Sequence, residues 1–123
     1  MRPFLTAIFL SFWSLYAAAV GAVELIMVEQ PGCVYCRQWN KDLAPIYPKT
    51  EVGQFAPLRH VQLSEIRGGD LDLSSPVIFT PTFLLVEGNV EIGRLEGYAS
   101  EDFFWPMLEL LLEDKTDFQG STK

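Results

Sequence analysis

Side chains that bind metals or act as nucleophiles are scarce in this sequence: one histidine, His60, and two cysteines, Cys33 and Cys36, in 123 residues. A tetrahedral zinc site needs four ligands, more than this set supplies, so no metal is expected. Covalent haem attachment needs a histidine directly after a Cys-x-x-Cys pair, and Arg37 stands there instead. Basic residues are also few, nine against sixteen acids, for a net charge of −7. Such a surface repels phosphate backbones, and no nucleic-acid partner is expected. The acids are scattered along the chain, as on a solvated surface rather than in a cation site. Internal repeats and interdomain linkers are missing, and the length suits one domain.

Long apolar runs are confined to one place. Arg2 precedes an uncharged run over residues 3–23 whose end is crowded with small residues, the pattern of a Sec-type secretory signal. Ala17-Ala18-Ala19 and Val20-Gly21-Ala22 both fit the small-x-small cleavage rule. We take the second, giving a signal peptide over residues 1–22 and a mature domain over 23–123. Cleavage after Ala19 and retention of the run as a membrane anchor are the alternatives, since about 20 apolar residues span a bilayer. No cysteine near the junction offers a lipid site, and no Arg pair marks twin-arginine export.

The rest of the chain alternates short β-type and helical patterns. Residues 24–28, Glu-Leu-Ile-Met-Val, predict a buried first strand. Gln30-Pro31-Gly32 breaks it; Cys36, Trp39 and Leu43 then recur at helical spacing, so a helix starts at or beside Cys33. Pro45 and Pro48 are expected to end it, and a polar stretch follows at 49–54. Residues 58–63 read as a second strand and 64–75 as a loop or short helix. Thr82-Phe83-Leu84-Leu85-Val86 is the clearest strand, with Glu87-Gly88-Asn89 turning it into a hairpin partner over 90–95. Ser100, Glu101 and Asp102, followed by the stripe Phe104, Met107, Leu108, Leu111 and Leu112, predict a last helix. Pro106 is expected to delay its regular part to near Trp105, and the residues from 115 onward read as a frayed tail. A strand-helix-strand unit followed by a hairpin and a helix is an α/β fold with a central mixed sheet and flanking helices, the minimal thioredoxin-like architecture.

Cys33-Val34-Tyr35-Cys36, set between a strand and a helix, carries the chemistry. In a helix's first turn residues three apart share a face, so the two sulfurs close a small disulfide ring without backbone distortion. Cys33 sits where unpaired N–H groups and the positive end of the helix dipole meet, which favours thiolate over thiol and makes it the candidate nucleophile. Cys36, one turn further in, is the candidate resolving sulfur. An inert structural disulfide is the rival reading for an exported protein, but a two-residue loop does little to constrain an unfolded chain. Thr80-Pro81 reads on its own as a strand-start proline. His60 reads as exposed or packed rather than as a proton shuttle, Arg37 as pointing to solvent, and Trp39 and Trp105 as core or groove walls.

Gly32-Cys33-Val34-Tyr35-Cys36, Thr80-Pro81-Thr82-Phe83 and Gly93-Arg94-Leu95-Glu96-Gly97-Tyr98 together resemble the thioredoxin superfamily across nearly the whole mature chain. More narrowly, the segments Val28-Glu29-Gln30-Pro31-Gly32-Cys33, Tyr47-Pro48-Lys49-Thr50, Ala56-Pro57-Leu58-Arg59 and Glu101-Asp102-Phe103-Phe104-Trp105 resemble the SoxS family, the periplasmic thioredoxins of bacterial sulfur-oxidation clusters. The resemblance implies a periplasmic thiol-disulfide oxidoreductase that needs no cofactor beyond the Cys33-Cys36 pair. It implies a cis peptide bond before Pro81, with Thr80, Pro81 and Gly97 forming the substrate groove. By the same resemblance the protein acts as a reductase of protein disulfides or mixed disulfides, its substrate a blocked cysteine on the sulfur-carrier complex SoxYZ and its own reductant a membrane electron transporter; a monomer is expected. A disulfide-introducing oxidase and a non-enzymatic binding module with a permanent disulfide are the alternatives. One departure stands out: where thioredoxin places a buried carboxylate beneath the second cysteine, this chain has Met27. Glu29 and Glu96 are the acids nearer the motif, and neither is a secure substitute.

N-terminal sequencing of the exported protein is expected to read from Val23; recovery of Met1 would overturn cleavage and restore the anchor.

Overall fold

The computed structural model describes residues 22–120; the expected signal peptide therefore lies outside the described residues, save Ala22. Nine elements follow in order: β1 (Val23–Glu29), α1 (Val34–Asp42), a 3₁₀ turn (Tyr47–Lys49), α2 (Glu51–Phe55), β2 (Leu58–Gln62), α3 (Leu63–Ile66), β3 (Thr82–Glu87), β4 (Val90–Glu96) and α4 (Glu101–Lys115).

Period-two alternation in β1 sorts its side chains between two cores. Leu25 and Met27 join Phe83 and Leu85 of β3 on one face, beneath α1, α2 and α4; Ile26 and Val28 join Leu84 and Val86 on the other, covered by Ile66 of α3 and Val77 of the following loop. A strand buried on both faces must be apolar throughout, which is why β1 and β3 read as continuous hydrophobic runs. The sheet order is β2-β1-β3-β4. β1 runs parallel to β2, with Met27 opposite His60, and antiparallel to β3, with Met27 opposite Phe83. The β3–β4 hairpin turns through Gly88 and Asn89, both at positive φ, the two-residue geometry that matches strand twist. The mixed sheet and its flanking helices are the thioredoxin-like arrangement.

Several local expectations are corrected. Helix α1 ends at Asp42, ahead of Pro45 as expected, but Pro48 takes no part in ending it: it is the second residue of the 3₁₀ turn, and proline is tolerated in a helix's first turn. The polar stretch at 49–54 contains a helix: Thr50 caps α2 by accepting from the Gly53 N–H at 2.9 Å. Helix α4 begins at Glu101, five residues before Pro106. Only one helical hydrogen bond is lost there, on the exposed side, while Phe104, Leu108 and Leu112 hold the buried side to the sheet. Met107 of the expected stripe is half-exposed. The tail is docked as far as Phe118, which is buried and packs edge-on against Phe55 at 5.1 Å.

Gly53 looks misplaced in a helix until its surroundings are considered. A Cβ there would lie 1.8 Å from the Tyr47 carbonyl oxygen and 2.6 Å from its carbon, so α2 packs backbone to backbone against the 3₁₀ turn. Tyr47 is fixed in turn by its hydroxyl, which donates to the Ala56 carbonyl at 2.7 Å, and burial pushes its pKa well above the ordinary tyrosine value. Alanine is favoured over glycine in a helix interior by about 1 kcal/mol. Gly53→Ala is nevertheless expected to destabilise the protein by about 1–3 kcal/mol, because the clash is with backbone and no rotamer change relieves it. Equal urea midpoints for variant and parent would overturn the close approach.

Candidate functional site

The site forms at the C-terminal end of β1, where the chain turns through Gln30-Pro31-Gly32 into α1. Cys33 is the N-cap of α1, in extended conformation, and Cys36 completes the first turn. The two are joined as a disulfide with Cα atoms 5.2 Å apart. Their environments differ sharply. Cys36 is 3 % exposed within the core that holds Trp39 and Phe83, whereas Cys33 is half-buried at its edge. The Cys36 N–H donates to Cys33 Sγ at 3.1 Å, and no acid occupies the first turn of α1. Both features stabilise negative charge on Cys33.

Three loops converge here. The Cys33 N–H donates to the Gln30 carbonyl at 3.3 Å, and Gln30 Nε2 reaches across to donate to Thr80 Oγ1 at 2.8 Å. The Thr80-Pro81 peptide bond is cis. Pro81 is buried and its carbonyl accepts from the Gly97 N–H at 2.7 Å. The residues singled out from sequence, Cys33, Cys36, Thr80, Pro81 and Gly97, thus belong to one hydrogen-bonded rim. Beside it lies an open groove of about 790 Å³ bounded by Tyr35, Gly97, Tyr98, Phe103 and Met107. Tyr35 is 62 % exposed over this groove, and Val34, Ile78 and Phe79 add further exposed apolar surface.

Two features of the site were not singled out in the sequence. Gln30 reads as a strand breaker, yet its side chain ties the cysteine loop to Thr80. The second is an ionic clip behind the proline loop. Glu91, buried on β4, accepts from Arg94 at 2.5 and 3.0 Å and from the Ser74 hydroxyl. Arg94 also donates to the Ser75 and Pro76 carbonyls at 2.7 and 3.3 Å, fastening the segment that leads into Thr80. Burial raises the Glu91 pKa, but the hydrogen bonds from Arg94 and Ser74 outweigh it and hold the carboxyl below its ordinary range. The spacing of Glu91 and Arg94 on an exposed-looking hairpin strand gives no sign of this burial.

The remaining candidates separate. Trp39 is fully buried, and Trp105 stacks on Tyr47 at 6.0 Å. Arg37 is exposed. Glu96 lies on the groove side, 3.6 Å from Arg94. Glu29 lines a separate, small crevice shared with both cysteines. Met27 is buried in the hydrocarbon core with Cys36, so no charge lies beneath the disulfide from that strand position. Among the described residues no cluster of three His, Cys, Asp or Glu side chains has metal-binding geometry.

Arg94→Met strands Glu91 as a buried unpaired carboxylate, and a loss of about 3 kcal/mol is expected at neutral pH. Because the folded-state pKa of Glu91 is lowered, its contribution in the parent is present above the unfolded carboxylate pKa and is lost as pH falls through the folded one. The gap between variant and parent is therefore expected to narrow toward acid in denaturation measured across pH; a constant gap would overturn the clip.

No protein-family model and no curated protein matches the chain. Among solved structures it is similar to the periplasmic thioredoxin SoxS from Paracoccus pantotrophus, in its reduced form. Identity is 52 % over 74 % of this chain and 96 % of that one, with a TM-score of 0.71. The thioredoxin of Malassezia sympodialis matches at 17 % identity over 72 % of this chain and 74 % of that one, with a TM-score of 0.50; it speaks for the fold alone. With a strand-to-helix Cys-x-x-Cys disulfide and a relative of this identity and coverage, the chain belongs to the thioredoxin superfamily, alongside SoxS, and is a thiol-disulfide oxidoreductase.

Proposed function

We propose that the protein is a periplasmic reductase of protein disulfides or mixed disulfides, exported by a signal peptide over residues 1–22 and working as a monomer through the domain at 23–123. The observation that carries this reading is the asymmetry of the pair: Cys33 at the accessible N-cap of α1, Cys36 buried one turn inside. In the reduced protein, Cys33 thiolate attacks a substrate disulfide, forming Cys33–S–S–R and releasing one substrate thiolate. Cys36 then attacks Cys33 Sγ, the mixed disulfide breaks, and the second substrate sulfur leaves with the electron pair. Two electrons pass to the substrate and the Cys33–Cys36 bond is formed.

Thr80, Pro81 and Gly97 form the substrate-binding rim in this reading, and the apolar surface around Tyr35 and Phe79 suits a polypeptide. Similarity to SoxS supports the periplasmic location, and among the described residues no helix is long and apolar enough to cross a membrane. The likeness to the sulfur-oxidation thioredoxins makes the carrier complex SoxYZ the proposed substrate and a membrane electron transporter the proposed reductant. The direction of transfer is a matter of potential: equilibration against thiol buffers is expected near about −270 mV, and a value near about −120 mV would make the protein an oxidase. A pair that stays oxidised to well below about −300 mV would be structural.

The roles of the sulfurs are tested by substitution. Cys33→Ser is expected to abolish turnover, and Cys36→Ser to accumulate mixed disulfides through Cys33. In the reduced parent, iodoacetamide near neutral pH is expected to label Cys33 much faster than Cys36. Equal labelling, or mixed disulfides mapped to Cys36 in the Cys33→Ser variant, would overturn the assignment.

A further inference from the structure

Resolution of a mixed disulfide requires Cys36 as a thiolate, and the surroundings of Cys36 oppose that form. Its side chain is buried among Trp39, Phe83 and Met27, and burial in apolar surroundings raises a thiol's pKa. Attack by the buried sulfur is therefore helped by a group that can take its proton. The hydrocarbon core offers no acceptor, so the proton must leave on the side where Cys36 meets a crevice.

That crevice is bounded by Glu29, Gln30, Arg37, Asn40 and Gln62 around the two cysteines. Glu29 is the sole carboxylate on its wall. It is the last residue of β1, and its side chain is 15 % exposed. One carboxylate oxygen accepts from Asn40 Nδ2 at 2.5 Å, from α1; the other meets His60 Nδ1 at 2.9 Å, from β2. The parallel register of β1 and β2 sets Glu29 opposite Gln62 and Met27 opposite His60, so the imidazole reaches the carboxylate diagonally. His60 is 43 % exposed, which gives the pair an opening to water. The other charged or titratable groups facing the crevice are Arg37 of α1 and Cys33 itself.

We infer that Glu29 is the acceptor of the Cys36 proton and that His60 passes this proton to solvent; the inference rests on Cys36 being the resolving sulfur. In the mixed disulfide, the Cys36 S–H proton moves to the Glu29 carboxylate, directly or through a water in the crevice. The resulting thiolate attacks Cys33 Sγ, and the bond from Cys33 to the substrate sulfur breaks. The electron pair leaves on that sulfur, which takes a proton from solvent. Glu29 gives its proton to His60 and then to water, so no charge accumulates. Asn40 is a positioning residue: its amide fixes one oxygen of the carboxylate while leaving the group free to accept a proton.

The test separates the two sulfur steps. Reduced protein mixed with the chromogenic aromatic disulfide DTNB releases one thiolate when Cys33 attacks and a second when Cys36 resolves, and stopped-flow absorbance follows both. Glu29→Gln keeps the shape and the hydrogen-bonding capacity of the side chain. It is expected to leave the first phase within about threefold and to slow the second by about tenfold or more near neutral pH. The deficit should disappear at alkaline pH, where the thiol ionises unaided. Glu29→Asp is expected to recover part of the second phase, and His60→Gln to slow it with a shifted pH profile. An unchanged second phase in Glu29→Gln, or both phases slowed alike at every pH, would overturn the inference. Failure of the underlying assignment has a different signature: a Cys33→Ser variant that still shows a fast first phase.

Discussion

The geometry of the disulfide depends on one packing constraint, the seating of Trp39. Its indole lies among the rings of Phe83, Phe104 and Tyr47, with centroids 5.2, 5.5 and 6.1 Å away. Its N–H is buried without a hydrogen-bond partner among the described residues. A buried unpaired donor costs free energy, and the aromatic contacts from three elements offset it. Because Trp39 joins α1 to β3 and α4 together, the helix cannot roll about its axis without breaking all three contacts. Cys36, three residues earlier, shares the Trp39 face and goes under with it; Cys33, another turn back, is left at the rim. The unequal exposure of the two sulfurs therefore follows from how one side chain packs 3 residues away along the same helix.

The same constraint explains what could be read from the sequence. β1, β3 and the hairpin were legible because buried strands need unbroken apolar runs and a two-residue turn needs Gly88-Asn89. α1 was legible because Cys36, Trp39 and Leu43 recur at helical spacing. Helix α2 was not, since Gly53 masks it: the glycine serves a backbone contact with Tyr47 that only the tertiary fold creates, while the true signal, Thr50 as a cap followed by Glu51, is short. Pro106 misled in the opposite direction, because a proline on the outer side of a helix costs one bond when the inner side is held by Phe104, Leu108 and Leu112. At the site, both cysteines and Thr80-Pro81 were visible as local motifs. Gln30 and the Glu91–Arg94 clip were not, because their partners lie 50 residues away in the first case and up to 19 in the second.

The two ionic groups belong to different strands, Glu91 and Arg94 to β4, Glu29 to β1 and His60 to β2, and they share one design. The core face beneath α1, α2 and α4 is hydrocarbon: Leu25, Met27, Phe83 and Leu85 carry no charge into it. Charge in a low-dielectric interior is unfavourable unless paired and hydrogen-bonded, and here it is kept to the margins. On the β4 side, Glu91 and Arg94 fasten the loop before Thr80 through carbonyls that would otherwise need other partners. On the β2 side, Glu29 is held by Asn40 and His60 with an opening to solvent. The first pair is nearly enclosed, with Glu91 hydrogen-bonded on several sides, so it suits holding a loop still. The second is more open, with His60 in contact with water, so it suits exchanging protons. A carboxylate placed at the Met27 position would face the cost of burial beneath the aromatic cluster; at the end of β1 the same charge reaches the crevice of Cys36 while keeping hydrogen-bond partners and a route to solvent.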